Sequence, residues 1–376
     1  IVYSCATYQK QIVDTNNEGF STNQEVAHSF YLIGDAGYSP NNTPAITLQL
    51  LKEDLKNAPK NSTVIFLGDN IYPKGLPDKD HKNRSDAEFY LQSQIDAVKD
   101  FKGQTIFIPG NHDWYSEGLK GLERQEDFVD DALGKNTFLP EHGCQIEDKS
   151  ITDDIELIIV DSKWYLTNWD NHPTINDDCD IKTREAFFDE YESLIKKARG
   201  KTTIVAIHHP MFTNGPHGGQ YSFIEHMKPI PFLGTLKNIL RKGTGVSPED
   251  LQNKRYNEFR KRIITLSQEN DKVVFVSGHE HSLQYLSSDN LVQIVSGSGS
   301  KKTATRNVGS GIFSFAKYGY ARLDVYKDGS SHVDFLTVNA DESAFSKQVH
   351  AKQIEQNKNY EESVPQKVKA SIYTHE

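Results

Sequence analysis

The sequence is short of cysteine, of long apolar runs and of any surplus of basic charge, and each shortage removes a class of protein. Three cysteines in 376 residues cannot build the disulfide framework of a small secreted scaffold. The longest apolar runs, such as 155–160 with Glu156 inside it, fall far short of the roughly 20 residues a membrane-spanning helix needs. Lys and Arg number 42 against 52 Asp and Glu, a net charge of -10. So acidic a chain has no electrostatic drive towards nucleic acid, and none is expected as a partner. No internal repeat, collagen period or heptad pattern appears. What remains is globular: 36% hydrophobic and 25% charged, long enough for one large domain or two ordinary ones.

The two ends differ from the middle. Val2-Tyr3-Ser4-Cys5 resembles a bacterial lipobox, which makes residues 1–28 an N-terminal lipobox and linker segment with lipid on Cys5. The expectation is an exported protein, periplasmic or on the outer membrane or cell surface of a bacterium, attached to the membrane through Cys5. Cys144 and Cys179 then either pair or stay as thiols. Residues 339–376 are polar, without sustained period and interrupted by Pro365, and read as a tail or as a linker to a further domain.

Between the ends, strands alternate with helices. Ser29 to Gly34, Thr63 to Leu67, Thr105 to Ile108, Ile155 to Val160, Thr202 to Ile207 and Val273 to Val276 are apolar and β-branched. Helical spacing marks 43–58, 85–101, 119–133 and 183–198. Ser247-Pro248-Glu249-Asp250 has the signature of a helix start, predicting a helix to about Glu269. Three later strands, 291–295, 320–325 and 332–338, follow a Gly/Ser-rich stretch, 297–311, expected to be a mobile loop. This order predicts α/β layers around mixed sheets.

The chemistry sits just past the carboxyl ends of five of these strands, the edge at which open α/β sheets bind ligands. They read Gly34-Asp35-Ala36-Gly37, Gly68-Asp69-Asn70-Ile71-Tyr72, Gly110-Asn111-His112-Asp113, Val205-Ala206-Ile207-His208-His209 and Gly278-His279-Glu280-His281. Taken singly, a Gly-Asp after a strand is a turn and a His after a strand is a surface or core residue. Taken together, carboxylate, amide oxygen, phenol and imidazole make an O/N donor set that suits Fe, Mn, Zn or Mg and not a soft thiolate site. One carboxylate can bridge two cations about 3.5–4 Å apart, as in two-metal hydrolysis.

These blocks resemble the calcineurin-like metallophosphoesterase superfamily, and within it the purple acid phosphatases, over roughly 29–338. The resemblance implies a catalytic domain with an αββα sandwich of two mixed β-sheets flanked by helices. It implies two metal ions, Fe(III) held by Asp35, Tyr72 and His281 and a divalent Fe, Zn or Mn held by Asn111, His208 and His279, with Asp69 bridging. It places His112 against the substrate with Asp113 orienting it, and His217, in Asn214-Gly215-Pro216-His217, as a second substrate-facing histidine. His209 reads as a neighbour. The implied reaction is phosphomonoester hydrolysis, in which a hydroxide held by the cations attacks phosphorus in line and His112 or His217 protonates the leaving oxygen.

Alternatives stay open. The same centre serves a phosphodiesterase or nucleotidase, and a surface-anchored module without catalysis is the reading from another class. Lys301, Lys302 and Arg306 form a basic loop, solvated or near phosphate, and Trp114, Tyr115, Trp164 and Trp169 either pack or shape the mouth.

Overall fold

The computed structural model describes residues 5–13, 24–230, 233–288, 290–341 and 343–350. The lipobox residues before Cys5 and the tail beyond His350 lie outside them. In chain order the strands are β1 (Gln11–Ile12), β2 (Val26–Ile33), β3 (Ser62–Phe66), β4 (Gln104–Phe107), β5 (Ile146–Thr152), β6 (Ile155–Val160), β7 (Thr202–Ile207), β8 (Val273–Ser277), β9 (Leu283–Ser288), β10 (Leu291–Ser296), β11 (Gly311–Phe315), β12 (Gly319–Tyr326), β13 (Ser331–Thr337) and β14 (Phe345–His350). The α-helices are α1 (Ile46–Leu55), α2 (Arg84–Val98), α3 (Leu119–Leu133), α4 (Ser162–Leu166), α5 (Arg184–Lys197), α6 (Phe223–Met227), α7 (Leu233–Thr244) and α8 (Lys254–Ser267).

Two mixed sheets form, one of eight strands in the order β1-β11-β9-β10-β8-β7-β6-β5 and one of six in the order β14-β13-β12-β2-β3-β4. In the smaller sheet β2, β3 and β4 are parallel. In the larger, β6, β7, β8 and β10 are parallel. The carboxyl ends of each parallel set therefore lie along one edge of its sheet.

Strand alternation makes the layers. Phe30 and Leu32 of β2 and Ile65 of β3 bury among Ile159, Ile204 and Val274 of the larger sheet. Their neighbours Tyr31, Ile33, Val64 and Phe66 point the other way, into a core shared with Leu48 and Leu51 of α1 and Leu91 and Ile95 of α2. In α1 the buried Leu48, Leu51 and Leu55 recur at helical spacing. Each fully buried side chain of this kind contributes roughly 1.5–3 kcal/mol. The sheets face each other and helices cover their outer faces, the sandwich the sequence led us to expect.

Four sequence expectations change. The helix predicted from Ser247 begins instead at Lys254, capped by Asn253, whose side-chain oxygen accepts the N–H groups of Arg255 and Tyr256. Within the stretch 339–376 read as a linker or tail, Phe345–His350 forms β14 and pairs with β13. Part of the segment before residue 29 is docked too: β1 pairs with β11, and the Ala6 N–H donates to the Tyr221 carbonyl at 2.9 Å. The stretch 297–311 is no free loop. The Gly299 N–H donates to the Gly34 carbonyl at 3.0 Å, Thr305 pairs with Thr7, and Ser298, Ala304 and Thr305 are buried.

Cys144 and Cys179 form a disulfide across a sequence separation of 35. By the chain-entropy model a loop of that length contributes about 3–4 kcal/mol. No helix among the described residues is long and apolar enough to cross a membrane.

Candidate metal centre

The five strand ends converge where the two sheets meet. Asp35 follows β2, Asp69 follows β3, Asn111 follows β4, His208 follows β7 and His279 follows β8. Asp35, Asp69 and His279 all adopt positive φ, at 58°, 56° and 68°. Non-glycine residues pay strain for that conformation, and three such residues at one focus mark a site whose side-chain directions are imposed. The glycines before them make room. A Cβ on Gly68 would stand 2.6 Å from the His208 Nδ1, and one on Gly278 would stand 2.6 Å from Asp35 Oδ2.

The donors form two groups. In the first, the Tyr72 hydroxyl lies 2.7 Å from Asp35 Oδ1, 2.9 Å from Asp69 Oδ2 and 3.0 Å from His281 Nε2. In the second, Asn111 Oδ1 lies 3.1 Å from His208 Nε2 and 3.0 Å from His279 Nδ1, and Asp69 Oδ1 is 3.4 Å from His208 Nε2. Asp69 thus offers one oxygen to each group. Donors about 2.0–2.2 Å from one ion stand about 3 Å apart when they meet at a right angle, so the spacing fits a cation in each group.

Hydrogen bonding makes the same case. His208 Nδ1 faces the Leu67 carbonyl at 2.7 Å and His279 Nε2 faces the Glu249 carbonyl at 2.9 Å. In the neutral rings each of those nitrogens donates, which leaves the opposite nitrogen as a lone pair. Both lone pairs point at the carbonyl oxygen of Asn111, an acceptor facing acceptors, and a cation resolves that conflict. In the first group, burial and then the Asp35 and Asp69 carboxylates push the Tyr72 phenol well above its usual pKa. Phenolate there needs a positive charge beside it. The residues present therefore fit two metal ions.

Backbone groups brace the carboxylates. The His112 N–H donates to Asp69 Oδ1 at 2.9 Å and the His279 N–H to Asp35 Oδ2 at 2.8 Å. His112 is partly exposed beside the pair, its Nδ1 2.6 Å from the Pro73 carbonyl and its Nε2 3.9 Å from Asp69 Oδ2. His217 comes from a distant loop, and its ring packs, tilted by 37°, with its centre 4.1 Å from that of the His279 ring. Its Nδ1 is 2.8 Å from Asp250 Oδ1. Burial disfavours the His217 cation, but Asp250 and Glu280 outweigh it and hold the pKa above the usual imidazole value.

Asp113 does something other than orient His112. Its carboxylate is fully buried and accepts the N–H groups of Gly110 at 2.7 Å, Asn70 at 3.0 Å and Ile71 at 3.2 Å. It ties the Asp69–Tyr72 loop to the Asn111 loop, and none of its hydrogen bonds goes to His112. His209 lies behind the donors, with Nδ1 2.7 Å from the Ser162 hydroxyl and Nε2 2.7 Å from Glu249 Oε2. Trp114 is buried and donates to Asp161 at 2.9 Å, and Trp164 is buried and packs on Trp169, so these shape the site from behind.

Three residues escaped the sequence reading. Glu249 accepts from Lys163 at 2.6 Å, from His209 and from the Tyr115 hydroxyl at 3.1 Å, while its backbone carbonyl holds His279. Asp250 holds His217 and pairs with Arg241. Lys301, read as part of a basic loop either solvated or near phosphate, stands 3.0 Å from the centre of the Tyr72 ring, a contact the sequence did not suggest. The acidic pair was hidden inside a sequence that imitates a helix start. A cavity of about 690 Å³ opens beside Tyr72, Pro73 and Tyr115, with Lys74, Lys82 and Tyr90 in its wall.

The pattern of the calcineurin-like phosphoesterase family matches residues 28–283, and the chain belongs to that family. Such proteins use a pair of metal ions to hydrolyse phosphoesters, and Asp35, Asp69 and His208 stand close enough together here to hold an ion. Solved structures share the fold. GAP50, the anchor in the inner membrane complex of Plasmodium, is 14% identical with a TM-score of 0.54, over 88% of this chain and 91% of that one. Purple acid phosphatase PPD1 from yellow lupin is 13% identical with a TM-score of 0.53, over 86% of this chain and 54% of that one. PhoD is 11% identical with a TM-score of 0.52, over 89% of this chain and 73% of that one. The chain thus spans about half the length of the lupin protein. At these identities the likeness is one of fold. No curated protein sequence matches the chain.

Proposed function

We propose that the protein hydrolyses phosphate monoesters at a two-metal centre of the purple acid phosphatase kind. The observation that carries the reading is Asp69, which turns one carboxylate oxygen towards Tyr72 and the other towards His208. In the proposed assignment Asp35, Tyr72 and His281 hold Fe(III), and Asn111, His208 and His279 hold a divalent Fe, Zn or Mn. Tyrosine among the donors favours a hard trivalent ion. When bound, the ions supply Lewis acidity and a nucleophile from water at neutral pH.

The chain's own groups do the rest. His112 and Lys301 flank Tyr72 from opposite sequence segments, and Lys301 presents positive charge to an anionic ester. His217, kept protonated by Asp250, delivers a proton to the departing alkoxide. The cavity beside Tyr115 takes the leaving group. All the donor positions carry suitable side chains in register, which favours catalysis over an anchored, non-catalytic module even though GAP50 is named as an anchor.

Assays on p-nitrophenyl phosphate and its bis ester test the reading. Monoester turnover is expected to exceed diester turnover, and His217→Asn to lower monoester kcat by about 10²–10⁴-fold. The loss should be greatest for poor leaving groups, which need the proton most. Preference for the diester would assign the centre to phosphodiesters instead.

Export and lipid attachment at Cys5 complete the proposal. The full-length precursor is expected in the membrane fraction and its Cys5→Ser variant in the soluble fraction. Unchanged partitioning of the variant would remove the lipid anchor from the account.

A further inference from the structure

Helix α7 is inside out. Its buried positions are Gly234 and Asn238, whereas Leu233, Leu236, Ile239 and Leu240 are about half exposed or more. Their spacing puts these four on one face. The neighbouring α6 adds Phe223 and Ile224, also half exposed. Of fifteen exposed large hydrophobic side chains among the described residues, nine fall between 223 and 246. Monomeric soluble proteins rarely leave so concentrated an apolar surface uncovered.

Charge says what covers it. The whole chain carries -10, but residues 223–246 hold Lys228, Lys237, Arg241 and Lys242 against Glu225 alone. Lys228, Lys237 and Lys242 are exposed. A second copy would bring the same cations against these. An apolar face rimmed by lysines is instead the pattern of a helix lying in the interface of an anionic bilayer. The fold adds an independent pointer. Ala6 pairs with Ser222, the N-cap of α6, and its N–H bonds the Tyr221 carbonyl. The first described residues of the chain therefore emerge at the root of this patch, next to Phe223.

We propose that α6 and α7 form a membrane-docking surface whose partner is an anionic lipid bilayer. The apolar face enters the boundary between headgroups and acyl chains, and the lysines meet lipid phosphates. The opposite side of α7 carries Arg241, which pairs with Asp250 and through it steadies His217. Docking thus sets the phosphoesterase centre close to the bilayer surface. The inference stands on the patch and its charge, and does not depend on which ester is cleaved.

The test uses the full chain with Cys5→Ser, so that no lipid anchor contributes, and flotation with phosphatidylcholine vesicles with or without about one third phosphatidylglycerol. Flotation with the anionic vesicles is expected, weakened by salt. Leu236→Glu with Ile239→Glu should reduce the bound fraction at least tenfold, with unchanged p-nitrophenyl phosphate hydrolysis showing that the fold is intact. Lys228→Glu with Lys237→Glu should act in the same direction without touching the apolar face. Failure of the parent chain to float with either vesicle overturns the proposal. So does a dimer in sedimentation that the Leu236→Glu, Ile239→Glu variant dissociates, since the patch would then be covered by a second copy.

Discussion

Asp69→Ala is expected to lower phosphomonoester hydrolysis by at least about 10³-fold and to leave the protein with no more than one tightly bound metal. Among the described residues Asp69 reaches both donor groups, with one oxygen 2.9 Å from Tyr72 and the other 3.4 Å from His208. Losing it opens both groups at once. A single lost electrostatic contact in a site of this kind typically lowers rate by about 10²–10³-fold, and a lost bridge removes more than one. The fold should survive. In the metal-free protein burial opposes the Asp69 charge, but His208, His112, the His112 N–H and the Tyr72 hydroxyl outweigh it and hold its pKa below the usual carboxylate range. The thermal midpoint of metal-free Asp69→Ala is therefore expected to fall below that of the metal-free parent while the chain stays folded. Asp69→Asn keeps the shape and should lose nearly as much rate. Full activity in either variant would contradict the bridging role.

Glu249→Ala should have the largest effect on stability, about 3–5 kcal/mol by chemical unfolding. Its carboxylate is only 12% exposed and is bonded to Lys163, itself 9% exposed, and to His209. Removing one partner of a buried pair leaves the other charge without compensation, the costly case. Burial opposes ionisation of Glu249, yet His209 and Lys163 hold its pKa well below the usual carboxylate range. A depressed carboxylate contributes stability that is present above its unfolded pKa, about 4.5, and is lost as pH falls. The variant's deficit should therefore shrink as pH drops below that value. Activity should fall as well, because the Glu249 backbone carries the acceptor for His279 and its side chain anchors Tyr115, which bonds Asn111. A variant as stable as the parent at pH 7 would show the buried pair to be dispensable.

Why Asp69 could be read from sequence and Glu249 could not is a matter of where the information lies. Each donor block is a local word: an apolar strand, a glycine, and a side chain forced to turn into the cleft. Asp35, Asp69 and His279 sit at positive φ for that reason, and the strand-end pattern advertises it. The sandwich was legible for a related reason, since β6 and β7 coincide with mainly apolar, β-branched runs and α3 with its full periodic stretch. Glu249 and Asp250 have no such local signature. Ser247-Pro248-Glu249-Asp250 satisfies helix-start chemistry, but the acids are drawn to Lys163, His209, Arg241 and His217 on other elements, and Asn253 caps the helix instead. Tertiary pairing outweighs a cap of about 1 kcal/mol. Asp113 failed in a similar way. Its place beside His112 in sequence suggested an orienting acid, whereas its carboxylate turns inward to gather three backbone N–H groups. The edge strands β1 and β14 are short and polar, so only their pairing with β11 and β13 reveals them.

The central claim is that loops from both sheets hold two ions that share Asp69. Metal analysis of the purified protein, with the visible spectrum recorded on the same sample, tests it most directly. About two metal ions per chain are expected in the parent, with iron among them and a visible band that Tyr72→Phe abolishes. A fully active protein that binds no metal, or that binds a single ion and keeps its rate without Asp69, would contradict the account.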